Sequence, residues 1–175
     1  MHNFNVHLYG LIAQLGEHLP CIADLQVQKN MINTKILGNT TEMECMLECT
    51  KLGIQVSIPF GEDSRYDFIM DYNGNLYKIQ CKHCSEIFDN DGKVTAIKFK
   101  TVRQSGSNAS LHTRTKYTKN EIDYFATSYG GHCYLVPVEQ CSILKLLRVI
   151  PPKNGQTKGI SFLKDYELSE VLKTL

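Results

Sequence analysis

The chain has 175 residues, 42% of them hydrophobic and 21% charged, with a formal net charge of +1. That length and apolar content predict one soluble domain with a sizeable core. No apolar run reaches the roughly 18 residues of a membrane-spanning helix, and the near-neutral balance excludes a polyanion partner recognised through whole-chain charge. The seven cysteines are odd in number and no secretory leader is evident, which predicts reduced thiols in an intracellular, cytoplasmic protein.

Residues 1–30 form the least patterned stretch. Leu11 to Val27 has some apolar character, but Gly16 and Pro20 interrupt it and it is too polar for a leader. These residues are expected to be a poorly ordered extension, with the folded domain over 31–175. The first helix is expected near Asn39 to Gly53. Thr41 with Glu44, or Asn39 with Glu42, matches a capping box, and Met43, Met46, Leu47 and Thr50 recur at helical spacing as its buried stripe. Glu42 then falls in the first turn, where the helix dipole favours a carboxylate, so a mere capping role competes with any functional one. Ile54 to Ile58 reads as a short strand ended by Pro59.

The next stretch carries the chemistry. Asn73-Gly74 between two β-rich runs signals a hairpin, because a type I′ turn needs positive φ at both positions. With a two-residue loop, Tyr72 pairs with Asn75, and counting back sets Asp67 opposite Gln80. Directly opposed residues have Cβ atoms roughly 4.5–5.5 Å apart on one face. Lys82 shares that face two residues on, whereas Tyr66, Phe68, Met70, Tyr77, Ile79 and Cys81 make the other, apolar face. A carboxylate, an amide oxygen and an ammonium thus meet on one side of a hairpin. From the residues alone, the wet side of an amphipathic hairpin is the simpler reading.

A turn at Asp89-Asn90-Asp91-Gly92 feeds a strand from Lys93 to Arg103, with Thr95, Ile97, Phe99 and Thr101 on one face and Lys98 and Lys100 on the other. The polar loop Gln104 to Ser110 follows, then His112, Arg114, Lys116 and Tyr117. Between Gly92 and Asn120 there is no Asp or Glu, yet Lys93, Lys98, Lys100, Arg103, Arg114, Lys116 and Lys119 all occur. This is a footprint for phosphate, unless carboxylates elsewhere in the fold neutralise it. Thr118 to Glu121 is a capping box expected to open a second helix through Ile122, Phe125, Ala126 and Tyr129, stopped by Gly130-Gly131. A strand from His132 to Val138, a short helix over Glu139 to Leu147 and a C-terminal helix from about Asp165 complete the reading. Cys81 and Cys84 have zinc-like spacing, but no second Cys-x-x-Cys pair follows, and buried thiols are the simpler reading.

Four segments together carry a family resemblance: Gly38-Asn39-Thr40-Thr41-Glu42, Ser64-Arg65-Tyr66-Asp67, Ile79-Gln80-Cys81-Lys82, and Tyr117 to Ala126. With the order helix, three strands, a further strand or ribbon, helix, strand, the chain resembles the PD-(D/E)XK nuclease superfamily over about Asn33 to Val138. Within it, the likeness is to the homing endonucleases encoded by group I introns in cyanobacterial transfer-RNA genes. The resemblance implies an α/β (α+β) restriction-endonuclease-like αβββαβ core, a mixed central sheet flanked by helices. It also implies site-specific double-strand cleavage of DNA with Mg²⁺, or Mn²⁺ in its place. Asp67, Gln80 and the Cys81 carbonyl would bind the metal, with Glu42, Asp67, Gln80 and Lys82 as the catalytic set. Tyr66 stands where the family name has Pro. Gln80 replaces the usual acid and brings an oxygen without its charge. Lys98, Lys100, Arg103, His112, Arg114 and Lys116 would contact DNA. Cutting both strands implies two active sites, hence a homo-oligomer, dimer or tetramer. A junction-resolving nuclease and a catalytically inactive DNA-binding module are the competing readings.

Overall fold

A computed structural model describes residues 33–61, 63–105, 113–152 and 155–175. Two compact units divide the chain, Met1–Ile36 and Leu37–Leu175. The expectation for residues 1–30 lies outside the described residues.

Helix α1 runs Thr34–Lys51, so it starts well before the capping boxes read from sequence. Asn33 opens it instead: its side-chain oxygen accepts from the Lys35 N–H at 2.9 Å and its carbonyl from the Ile36 N–H at 2.8 Å. Glu42 is therefore an interior residue of α1, not a first-turn carboxylate, and the capping explanation for it falls. The buried stripe also differs. Thr41, Cys45 and Cys49 face the core, while Met43 and Leu47 are 67% and 53% exposed. Spacing of four residues fits either set, and the larger apolar side chains suggested the wrong one. Gly53 ends the helix as expected, with φ 74° and the Ile54 N–H reaching back to the Cys49 carbonyl at 3.0 Å.

Strands β1 (Gln55–Ser57), β2 (Phe68–Tyr72), β3 (Asn75–Cys81), β8 (Tyr124–Tyr129) and β9 (His132–Pro137) form a five-stranded sheet in the order β1-β2-β3-β8-β9. Only β3 and β8 run parallel, so the sheet is mixed. The β2–β3 hairpin has the register its turn dictates: Tyr72 lies opposite Asn75, and Asn73 and Gly74 have φ of 53° and 78°. Strands β4 (Ser85–Phe88), β5 (Val94–Lys100) and β10 (Leu144–Arg148) make a second, antiparallel sheet in the order β10-β5-β4. Strands β6 (Val102–Ser105) and β7 (Thr113–Lys116) form a separate two-stranded ribbon. A 3₁₀ turn, Leu163–Tyr166, and the short helix α2, Leu168–Leu172, stand where one C-terminal helix was expected.

Two further expectations are corrected. The residues after Thr118-Lys119-Asn120-Glu121 form β8 rather than a second helix. The capping bonds themselves exist, since a Glu121 oxygen accepts from the Thr118 N–H at 2.9 Å and its hydroxyl at 3.1 Å. They close only one turn, because Tyr-Phe-Ala-Thr-Ser-Tyr is β-rich and has an inner place in the sheet waiting for it. Among the described residues, strands and not a helix make the crossover from β3 to β8. The second correction concerns Glu139 to Leu147, which forms no α-helix. A 3₁₀ turn, Val138–Gln140, leads there into β10.

Both faces of the central sheet are covered. Cys45 and Cys49 of α1 and Leu168 and Val171 of α2 pack on Phe68, Met70, Ile79, Cys81, Ala126, Cys133 and Leu135. On the other face, Phe125, Tyr134 and Val136 meet Ile97, Phe99 and Leu147 of the second sheet. Tyr66, assigned from alternation to the first face, packs in this second core. Burial on both faces removes the wet side that an isolated hairpin would have.

Candidate active site

Asp67 lies just ahead of β2, and its N–H donates to the Ile79 carbonyl at 2.8 Å, prolonging the hairpin ladder. One carboxylate oxygen, Oδ2, accepts from the Cys81 N–H and from Gln80 Nε2, both at 2.6 Å. The same amide nitrogen lies 3.3 Å from the Cys81 carbonyl. Lys82 continues the strand, its N–H donating to the Ala126 carbonyl at 2.8 Å. Gln80 is only 8% exposed, because its neighbour across the parallel ladder is Phe125. Tyr117, directly after β7, covers this group. Its hydroxyl donates to Gln80 Oε1 at 3.3 Å, its ring centroid is 5.4 Å from Lys82 Nζ, and its edge meets Phe125 at 5.3 Å.

Glu42 approaches from α1, half-buried. The adjacent Thr41 ties that part of the helix to His83, just past the end of β3. Its hydroxyl donates to the Leu37 carbonyl at 2.9 Å, so the 3.1 Å contact with His83 Nδ1 has the ring nitrogen as donor. Sequence reasoning read Thr41 as a helix cap and Tyr117 as part of the basic stretch and of the last resemblance segment, and gave neither of them, nor His83, a place in the site. No motif marks these contacts, since each residue acquires its partner through tertiary contact.

The electrostatics of the cluster are mutually opposed. Burial raises the Asp67 carboxyl above its usual range, against the pull of the Cys81 N–H, Lys82 and Gln80. Burial likewise raises Glu42, reinforced by the Asp67 charge and opposed by Lys82. Lys82 is pushed down by burial while Asp67, Cys81 and Glu42 hold it up. Tyr117 is raised, first by burial and then by Asp67, and keeps its phenolic proton.

Oxygen donors of this kind suit Mg²⁺ or Mn²⁺. The donors fit such an ion because the Asp67 and Cys81 oxygens already meet at one point, marked by the Gln80 NH₂ between them. Among the described residues, no three His, Cys, Asp or Glu side chains form a metal-holding group, so an ion here depends on an amide and a main-chain oxygen. Cys81 and Cys84 point into opposite cores and cannot share a zinc ion.

The basic residues fall into two groups. Lys98 and Lys100 stand exposed on the second sheet and border a groove with Lys82 and His83. Arg103 and Lys116 are exposed on the ribbon, where Arg114 lies opposite Gln104 in register. His112 is outside the described residues. Lys119, by contrast, is neutralised by Glu139 at 3.1 Å and Asp123 at 3.9 Å.

A mixed five-stranded sheet, with a carboxylate, an amide and a lysine beside its parallel pair and a helical glutamate facing them, defines a restriction-endonuclease-like nuclease fold. A family model described as PD-(D/E)XK endonuclease matches residues 32–169. The chain belongs to that family, and it is a nuclease. Among solved structures, a bacterial homing endonuclease, I-Ssp6803I, is similar with a TM-score of 0.62 at 20% identity, covering 81% of this chain and 95% of that one. At that identity the likeness establishes the fold. A comparison with curated proteins finds no match in sequence.

Proposed function

We propose that the chain is a site-specific, Mg²⁺-dependent endonuclease of the homing type, cutting both strands of duplex DNA. The observation that supports this best is the meeting of the Asp67, Gln80 and Cys81 polar atoms beside Lys82, within a family of endonucleases. Asp67, the Gln80 amide oxygen and the Cys81 carbonyl would hold the ion, with Mn²⁺ as a substitute. When bound, Mg²⁺ supplies Lewis-acid polarisation of the scissile phosphate and a more acidic water. Lys82 orients the attacking water and balances the negative charge that develops on phosphate. Glu42, raised by burial and by Asp67 with Lys82 opposing, positions that water from the helix side.

Lys98 and Lys100 hold the DNA backbone near the site. The ribbon, with Arg103, Arg114 and Lys116, enters the major groove, whose width admits two strands, and His112, which precedes β7 in sequence, contacts DNA with it. Two sites are needed to cut two strands, so the working form is a homo-oligomer, dimer or tetramer. The test is cleavage of a randomised duplex library with Mg²⁺, in competition with a four-way junction. Cutting of a defined duplex sequence is expected. Preference for the junction overturns the homing assignment, and binding without cleavage identifies an inactive DNA-binding module.

A further inference from the structure

We infer that metal capture turns the Gln80 amide over, and that Tyr117 is the partner that serves the amide in both orientations. The inference rests on the metal-binding role proposed above. In the structure the Gln80 NH₂ donates to Asp67 Oδ2 at 2.6 Å and to the Cys81 carbonyl at 3.3 Å. Those are the two oxygens with which Gln80 would share a cation. The opposite orientation would set Oε1 against two oxygens, so without metal the NH₂ must face them.

A cation at that point reverses the demand. It repels the NH₂ protons and needs Oε1. A half-turn about the last side-chain torsion exchanges oxygen and nitrogen and otherwise leaves the side chain in place. The NH₂ then faces the Tyr117 hydroxyl, at present a donor to Oε1 at 3.3 Å. A phenol both donates and accepts, so Tyr117 can satisfy either orientation of the amide. Phenylalanine there would leave Oε1 without its donor before the turn and a buried NH₂ without an acceptor after it. The second loss is the larger, since buried N–H groups are orphaned more rarely than carbonyls, and Gln80 is 8% exposed. A glutamate at position 80 would have no such need, its two oxygens being equivalent. Tyr117 is thus a positioning residue whose importance follows from having Gln, rather than an acid, at position 80.

The test measures Mn²⁺ binding by electron paramagnetic resonance, with no DNA present, in the full chain and in Tyr117→Phe, Gln80→Glu, the double variant and Asp67→Asn. Tyr117→Phe keeps the ring against Lys82 and Phe125. It should weaken Mn²⁺ binding about tenfold in the native background and less than about twofold beside Gln80→Glu. Equal loss in both backgrounds, or none in the first, overturns the inference. In the unaltered protein, the ¹⁵N-resolved Gln80 NH₂ signals should shift on adding Mg²⁺, and signals unmoved at saturation also overturn it. Asp67→Asn separates the two levels. If it leaves Mn²⁺ affinity unchanged, the metal site itself is wrongly placed. If it abolishes binding while Tyr117→Phe has no effect, only the Tyr117 inference fails.

Discussion

Asp67 is a carboxylate held in partial burial by two hydrogen bonds to a single oxygen, and its surroundings determine how the site responds to pH. Its pKa and that of Glu42 are raised, burial being the first cause. The folded chain therefore keeps these protons at pH values where the unfolded chain has lost them, and stability falls as pH rises through the window above the ordinary carboxylate range. Lys82 is lowered by burial, so its charged form opposes folding until pH rises past its folded pKa. Metal affinity runs opposite to the carboxylate term, because ionised oxygens bind the cation. Acidification into that window should stabilise the metal-free protein while weakening Mg²⁺ binding, measurable by calorimetry and titration on one sample. Asp67→Asn removes the buried charge yet keeps an oxygen for both donors. It should raise the melting temperature by about 2–4 °C, as a gain of about 1 kcal/mol would, at neutral pH. Lys82→Ala should reduce cleavage at least about 10²-fold while DNA binding, read by gel shift, persists.

Among elements, α1 and β8 show what a local reading can reach. The β2–β3 register was legible because Asn73-Gly74 fixes it within four residues, and Asp67 beside Gln80 follows from that turn. The stop of α1 was legible for the same reason, through Gly53. Its buried stripe was not, because cysteine gives a weak apolar signal and only the opposing surface of Cys81 and Cys133 marks the side of Cys45 as the inner one. Strand β8 was hidden by a real capping turn. Its destination depends on Asp123, whose N–H and carboxylate both bond the Lys78 backbone at 2.8 Å, far away in sequence. Cys45→Ser should therefore destabilise by about 1–3 kcal/mol, by burying a hydroxyl that needs a partner. Met43→Ser should stay within about 0.5 kcal/mol, since Met43 is 67% exposed. Urea melts of both variants check the pair, and the stripe read from sequence requires the reverse order.

At the scale of the whole molecule, charge is distributed by element. Lys119 is neutralised inside the fold, whereas Lys98, Lys100, Arg103 and Lys116 form no ion pair among the described residues. Each ribbon cation that meets a phosphate should release counterions. Lys116→Ala is expected to weaken DNA binding across sequences and to lower the slope of log K against log salt by about 1. Arg103→Ala does the same if it meets phosphate, but loses discrimination at one base pair if it reads an edge. Sedimentation of the purified chain should give a dimer or tetramer, and a monomer that cuts both strands at once would refute the two-site requirement.

The ribbon β6–β7 shares no strand with the central sheet. Its residues can therefore be exchanged while the ladder that aligns Asp67, Gln80 and Lys82 stays as it is. On the proposed role of the ribbon in DNA recognition, recognition and chemistry are separately heritable. On that proposal a lineage can follow a drifting target by mutating one hairpin, and an engineer can vary the exposed ribbon positions 103, 115 and 116 with the cutting machinery left in place.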